Sequence, residues 1–197
     1  MSTTYSPVVH PSFVDYKDDL ATKDKTIKEE FHKNQAFRFR AEDPINCSAL
    51  SSNAEYLVVG CHNSIVLYSL IKKERLQTKE EAHKKNVSAV AISHDNNYIA
   101  SASVSGELAL WQLNSMQRIR YQPEAHEGPI TCLKFTSNGS HLISISLDGT
   151  INIWNVENDL SCEGFHTGTV DLRAVLITKD NKHFVIAGFQ IIEIWDF

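Results

Sequence analysis

The chain has 197 residues, of which 42% are hydrophobic and 22% charged, and its formal net charge at pH 7 is −5. This composition is typical of a globular protein long enough to bury a sizeable core, and the charge gives no basic footprint for nucleic acid. No apolar run is long enough to cross a membrane, and Met1–Tyr5 does not begin like a signal peptide, so we expect an intracellular protein.

Residues 1–35 precede the patterned part of the chain. The first of them are polar and include Pro7 and Pro11, which predicts disorder. Residues 17–34 have mixed charge, and Thr26 and Glu29 have the spacing of a capping box, which predicts a short helix. A solvated charged lead-in and a helix that docks on a partner are both compatible with this segment. Residues 36–40 alternate apolar and basic side chains, as a half-buried strand does.

Four segments of similar pattern follow, at 44–70, 86–113, 129–156 and 169–197. Each contains one aromatic anchor near its end, and the anchors are 43, 43 and 41 residues apart: Tyr68, Trp111, Trp154 and Trp195. The segments are rich in Val, Ile, Ser and Thr and are punctuated by Asn, Asp and Gly, which predicts short antiparallel strands. Strands in the third segment are predicted at about 129–135, 141–146 and 150–156.

Turn residues separate these strands. Ser137–Gly139 and Asp148-Gly149 suit hairpins because Asn, Asp and Gly tolerate positive φ. A more polar fourth strand is predicted after each of the first three anchors, at 76–77, 117–121 and 160–162. Four antiparallel strands per unit indicate propeller blades, at about 41–80, 81–123, 124–164 and 165–197.

The order His, Asp-Gly, Trp, the period and the final Trp195-Asp196 resemble WD40 repeats over residues 41–197. The resemblance implies an all-β fold, a WD40-type β-propeller of about four blades with a short N-terminal extension. The family usually closes rings of seven blades, so we expect a partial propeller that belongs to a larger ring. A closed ring of four blades and an open ring completed by a partner chain remain alternatives. In the closed ring, strand 36–40 would complete the fourth blade, so residues 36–197 are predicted as the propeller.

The family resemblance also implies a buried tetrad of His, Ser or Thr, Asp and Trp inside a blade. The third unit matches it with His126, Ser144, Asp148 and Trp154. The second unit has His83, Ser101 and Trp111, but Ser105 stands where the acid would be. The fourth has His166 and Trp195 without an acid in its turn, and the first lacks the histidine and uses Tyr68.

The resemblance further implies a non-catalytic scaffold for protein–protein interaction and complex assembly, in the cytoplasm or the nucleus. Family contact positions carried over to this chain are Asn46, Ser88, Thr131 and Asp171 in one set and Cys61, Val104 and Leu147 in another. We expect protein or peptide partners on the propeller face, and no nucleic acid, membrane, metal or cofactor. Phosphate-binding and nucleophile motifs are missing from the sequence. A regulatory or ligand-sensing module of a larger enzyme or complex is the alternative function.

Overall fold

The computed structural model describes residues 39, 41, 43–167 and 171–197, without the side chains of residues 165 and 166. The chain divides into a unit at 1–38, outside the described residues, and a unit at Phe39–Phe197. The predicted N-terminal disorder and helix therefore lie outside the described residues. So does the predicted strand 36–40, except Phe39, which is not part of a strand.

The described residues contain fifteen β-strands and no helix. The strands form four antiparallel sheets in chain order, each with its first strand at one edge. Blade one holds β1 to β4, blade two β5 to β8, blade three β9 to β12 and blade four β13 to β15. This confirms the all-β propeller architecture of about four blades. The bounds are β1 Ile45–Leu50, β2 Tyr56–Cys61, β3 Ser64–Ser69, β4 Glu74–Lys79, β5 Val87–Ile92, β6 Tyr98–Ser103, β7 Leu108–Gln112, β8 Arg118–Gln122, β9 Ile130–Phe135, β10 His141–Ser146, β11 Thr150–Asn155, β12 Ser161–His166, β13 Ala174–Ile177, β14 His183–Gly188 and β15 Ile191–Asp196.

The fourth strand of blade three is longer than its sequence indicates. The sequence predicts strand at 160–162 and a blade boundary at 164, whereas β12 pairs with β11 as far as His166. Alternation of apolar and polar residues is weak in this segment, so pattern alone underestimates it. In blade four, no described strand pairs with β15 on the side away from β14.

The core lies between consecutive blades, because the facing sides of neighbouring sheets are buried against each other. Ile65 and Leu67 of blade one pack with Ile99 and Trp111 of blade two. Leu108 and Leu110 of blade two pack in the same way against Leu142 and Trp154 of blade three. Ile143, Ile145 and Ile151 of blade three pack against Phe184 and Ile186 of blade four. The aromatic anchors of blades two to four thus face the preceding blade.

The loops between the first and second strands share one geometry. In each, a Ser or Thr hydroxyl donates to the Asn or Asp side chain two residues later, at 2.5 to 2.7 Å. The next residue has positive φ, which Asn and Gly adopt most easily. These residues are Ala54, Asn96, Gly139 and Asn181, with φ of 56°, 58°, 74° and 55°.

Two of these loops are joined to the loop of the following blade. Ser52 N–H donates to Asn96 Oδ1 at 3.2 Å, and Ser137 N–H donates to Asn181 Oδ1 at 2.8 Å. These bonds connect blade one to blade two and blade three to blade four. At the same position in blade three stands Gly139, which has no side-chain amide. Among the described residues, blades two and three therefore lack this connection.

Candidate functional site

The third blade contains a continuous chain of hydrogen bonds through its core. Trp154 Nε1 donates to Ser144 Oγ at 2.9 Å, and Ser144 Oγ lies 2.6 Å from His126 Nε2. On the other side of the imidazole, His126 Nδ1 lies 2.5 Å from Thr150 Oγ1, which in turn donates to Asp148 Oδ1 at 2.5 Å. The structure thus brings together all four residues that the sequence proposes, but Thr150 stands between the histidine and the acid.

The two ends of this chain determine where its protons lie. Indole nitrogen can only donate and a carboxylate can only accept, so the Ser144 hydroxyl donates a hydrogen bond to Nε2 and His126 donates one from Nδ1 to Thr150. His126 is therefore neutral. Burial lowers the pKa of His126 to about 4, and the nearby Asp148 opposes this shift only partly. For Asp148, burial raises the pKa, but hydrogen bonds from Thr150 and from the Gly128 N–H outweigh it and the pKa is lowered.

Blade two forms the same chain with a different acid. Trp111 Nε1 donates to Ser101 Oγ at 2.8 Å, and Ser101 Oγ lies 2.7 Å from His83 Nε2. His83 Nδ1 then faces Glu107 Oε2 at 3.4 Å, and among the described residues it has no hydrogen-bond partner. In the sequence Ser105 stands where the acid is expected, and Glu107 is not predicted to replace it. Glu107 occupies the position of Thr150, one repeat of 43 residues earlier, and its longer side chain reaches the histidine without an intermediary.

Glu107 is itself held by several donors. Tyr121 Oη donates to Oε1 at 2.7 Å, and the Lys84 N–H and the Ser103 hydroxyl each donate to Oε2 at 3.0 Å. Burial raises the pKa of Glu107, but these hydrogen bonds outweigh it and the pKa is lowered. Burial also lowers the pKa of His83 to about 4, although the Glu107 charge opposes the shift. Glu107 is thus an ionised, buried carboxylate facing a neutral histidine.

Blades one and four replace the polar chain with other contacts. In blade one the position of Ser101 is Val59, and the ring of Tyr68 packs against Phe39 with 4.6 Å between centroids. In blade four the position of Ser144 is Ile186, which is buried. Trp195 stacks on Phe184 and donates from Nε1 to Glu193 Oε2 at 2.9 Å. The structure therefore does not place Trp195 in a tetrad.

The placement of His166 also differs from the sequence prediction. The backbone N–H groups of His83 and His126 donate to Asn63 and Gly106 O of the preceding blade. The equivalent bond to Gly149 O comes from Thr167, so Thr167 and not His166 holds the tetrad histidine's backbone position. His166 instead lies in β12 opposite Thr150, and its side chain is outside the described residues. The position predicted for this histidine is therefore one residue away from the position that the structure gives.

Three of the proposed contact positions are β-bulges in the innermost strands. Asn46, Ser88 and Thr131 each fall at a shift in the pairing register. A bulge redirects its side chain, and here it directs two hydroxyls at the next blade. Ser88 Oγ donates to Ile130 O at 2.5 Å, and Thr131 Oγ1 donates to Leu172 O at 2.6 Å. Ser88 and Thr131 therefore join neighbouring blades, whereas Asn46 is exposed.

The remaining contact positions lie where each blade connects to the next. We call this region the linker end. It comprises the described connections between blades, at 80–86, 123–129 and 171–173, together with the turns between the second and third strands of the blades. Val104 in one such turn is 42% exposed, and Leu147 in the next turn is partly exposed. Asp171 is half-buried and its carboxylate pairs with Arg173 at 2.9 Å.

Cys61 is buried, so the prediction of Cys61 as an exposed contact is wrong. It packs in a cluster with Val59, Val66 and Tyr68, on a face of blade one against which Phe39 and Ala41 also pack. At the position of Leu147, blade four has Phe189, which is 66% exposed and is not among the predicted contacts. The signal for Phe189 is available in the repeat spacing, since it lies 42 residues after Leu147.

Several polar side chains lie near this end, beside the third tetrad. Within the described residues no group of His, Cys, Asp or Glu could hold a metal ion. A cavity of about 560 Å³ opens beside the third tetrad, and its polar lining includes Glu124, Glu127 and Asp148. Both buried histidines are neutral, and each accepts a hydrogen bond from a serine of its own blade. In the described part of the chain there is also no helix able to span a bilayer.

Comparisons with known proteins agree with the architecture. A family model described as PROPPIN, a β-propeller family, matches residues 31–187. No curated protein matches the chain. Similar solved structures include the WD40 repeats of RRP9 and the structure of U3-55K, each with a TM-score of 0.72 and 22% identity over 82% of this chain. The chain spans about half the length of these structures, 50% and 51%, and identity at this level shows the fold alone.

Proposed function

Since the chain belongs to the PROPPIN family of β-propellers, we propose that it is a non-catalytic scaffold whose linker end binds a protein or peptide. Three successive turns at this end carry an apolar residue at the same repeat position: Val104, Leu147 and Phe189. Apolar side chains in exposed turns gain nothing from folding, and a row of them is typical of a surface that another molecule covers. This row is the observation that carries the proposal.

Polar groups on the same surface would orient the partner. Asn46 is exposed at the bulge that opens β1, and Asp171 carries a charge held in place by Arg173. A protein partner fits an apolar row with a polar border better than a small molecule does, because such surfaces bind through a few central side chains surrounded by polar contacts. Complex assembly in the cytoplasm or the nucleus, as the resemblance to WD40 repeats implies, is part of the proposal.

The histidines and carboxylates that could suggest catalysis have structural partners inside the blades. His126 and His83 are both buried and neutral, and the Nε2 of each accepts a hydrogen bond from a serine hydroxyl within the core. A general base must reach a substrate, which neither imidazole can do from a position with no exposed side-chain surface. This arrangement supports a scaffold rather than an enzyme.

The test is a comparison of proteins retained by the tagged chain and by variants in cells. The double variant Val104→Arg and Leu147→Arg places charge in the apolar row, and we expect the amount of retained partner to fall at least about tenfold. Ile71→Arg is the matched control, because Ile71 is 67% exposed in a turn of blade one, away from the row. Thr131 is unsuitable, since its hydroxyl connects two blades.

Quantitative mass spectrometry of the retained proteins, with circular dichroism of each variant, separates lost binding from lost folding. The proposal predicts partners that the wild type and the Ile71→Arg variant share and the double variant lacks. Equal retention by all three folded chains would contradict the assignment of this surface.

A further inference from the structure

The cavity of about 560 Å³ at the linker end lies between blades two and three. Ser105 and Asp148 line it, and each of them directly follows a residue of the apolar row, so the cavity opens beside that row. Glu124 and Glu127 add two further carboxylates to the lining. Among the described residues that line the cavity there is no lysine or arginine. We call it the acidic cavity.

The neighbouring cavity, one blade earlier, contains cations of the chain itself. Its volume is about 470 Å³, and its lining at 81–84 lies one repeat of 43 residues before 124–127 of the acidic cavity. Two cationic side chains line it, Lys84 and Arg118, together with one carboxylate at position 81. The Arg118 guanidinium lies over the Tyr121 ring, 4.8 Å from its centroid, which holds the cation by a cation–π contact.

Blade three replaces the cationic and aromatic groups of that neighbouring cavity. The position of Lys84 is held by Glu127, so the charge is reversed. Opposite the anchor tryptophan, Cys162 replaces the arginine. Two residues further along β12, Gly164 replaces the tyrosine and leaves its place without a ring. The acidic cavity therefore has the same place in the fold as its neighbour but lacks the cations that the chain supplies there.

The polar atoms that the acidic cavity leaves free are hydrogen-bond acceptors. Asn152 Nδ2 donates to Ala125 O at 2.6 Å, and its Oδ1 accepts from no donor among the described residues. Glu124 and Glu127 are exposed, and neither pairs with a lysine or arginine in the described part of the chain. For Asp148, burial raises the pKa but its hydrogen bonds outweigh this effect, so the carboxylate stays ionised. The tetrad histidine beside it is neutral and does not offset its charge.

We propose that the acidic cavity receives an arginine or lysine side chain of the protein partner, at the place where the preceding blade has cations of its own. The inference rests on the proposed function of the linker end and adds the chemistry of the partner. A guanidinium or ammonium group has only donors, which complements carboxylates and an amide oxygen. Val104 and Leu147 lie on either side of the cavity and would contact apolar residues next to that cation. Complementary charge of this kind selects the partner and fixes its register.

Fluorescence anisotropy of labelled peptide pools, titrated with the purified 197-residue chain, tests this inference. Four pools share a mixture of apolar residues around one fixed central residue, which is Arg, Lys, Gln or Glu. The wild type is expected to bind the Arg and Lys pools at least about tenfold more tightly than the Gln pool. Glu124→Gln with Glu127→Gln removes two charges at nearly constant shape and is expected to weaken binding of the Arg pool at least about fivefold.

The matched control is Glu74→Gln with Glu157→Gln. Both glutamates are exposed and lie at the opposite end of the blades from the linker end, so this variant changes the net charge equally without touching the acidic cavity. It is expected to keep the preference of the wild type. Glu127→Lys is a second variant, which introduces the residue that blade two has at this position and is expected to abolish the preference. Circular dichroism establishes that each variant is folded.

Each result supports or overturns the inference. Equal affinity for the four pools overturns it and leaves the proposed function intact, since the retention of partners in cells does not depend on this charge. Failure to bind any pool, or tighter binding of the Glu pool, also overturns it. A preference for Arg and Lys that both double variants keep alike overturns it as well, because attraction to the net charge of −5 would then be its cause.

Discussion

The Ser144 hydroxyl connects two buried polar groups that have no alternative partner nearby. It accepts the indole N–H of Trp154 and donates to His126 Nε2, and its own side chain is fully buried. Substitution of Ser144 by Ala removes one oxygen and leaves both the indole donor and the imidazole acceptor unsatisfied. Water cannot replace the lost partner without opening the packing between blades two and three.

The expected cost follows from these two orphaned groups. A buried polar group without its hydrogen bond costs about 1–3 kcal/mol, so we expect Ser144→Ala to lower the free energy of unfolding by about 2–6 kcal/mol. For a chain of this size, each kcal/mol shifts the melting temperature by about 2–4 °C. The melting temperature should therefore fall by at least about 4 °C.

Urea denaturation followed by tryptophan fluorescence measures the change. Ser161→Ala is the matched control, because Ser161 is an exposed residue of β12 in the same blade and should change stability by no more than about 0.5 kcal/mol. If Ser144→Ala stays within that same margin of the wild type, the hydroxyl is not the connection that the geometry indicates.

Two further predictions rest on the same blades. The pKa values of His83 and His126 are lowered to about 4 in the folded chain from 6.5, so the unfolded chain takes up protons first as the pH falls. Stability should then drop by about 2 kcal/mol per histidine between about pH 7 and pH 5, and a flat urea midpoint over that range would refute it. Gly106→Ala should destabilise by at least about 2 kcal/mol, because φ is +80° and the new Cβ would lie 2.0 Å from His126 O. Gly139→Ala is its control, since φ is similar at +74° but the nearest atom is 3.9 Å away; equal denaturation midpoints for the two variants would show that the His126 contact has no effect.

Local patterns in the sequence were sufficient to predict the strands of the blades. The turn residues and the alternation in the third repeat predict strands that the structure places at Ile130–Phe135, His141–Ser146 and Thr150–Asn155. The spacing of the aromatic anchors also predicts the repeat, and Trp111 and Trp154 lie at matching positions between blades. Such features depend on residues a few positions apart, so they can be predicted from the sequence without knowledge of the fold.

Features that depend on contacts between repeats were harder to predict. Glu107 replaces the tetrad acid from a position two residues later in the turn, and only the length of its side chain makes this possible. Cys61 is buried in a cluster on which Phe39 and Ala41 pack, and no pattern within its own repeat indicates that contact. Ser88 and Thr131 contact the next blade because a bulge turns their side chains, and bulges leave little trace in composition.

The connections between neighbouring loops divide the four blades into two pairs. Ser52 with Asn96 holds the first pair, Ser137 with Asn181 holds the second, and Gly139 leaves the middle boundary without an equivalent. At the other end of that boundary, the N–H groups of Ala125 and His126 both donate to Gly106 O. The boundary between blades two and three is therefore held by its apolar core and by the Ser88 hydroxyl on Ile130 O, without a bond from loop to loop. In an array of units that contact only their neighbours, each boundary can be strengthened or weakened by itself, so the loop at Gly139 adjusts one boundary and leaves the other two as they are.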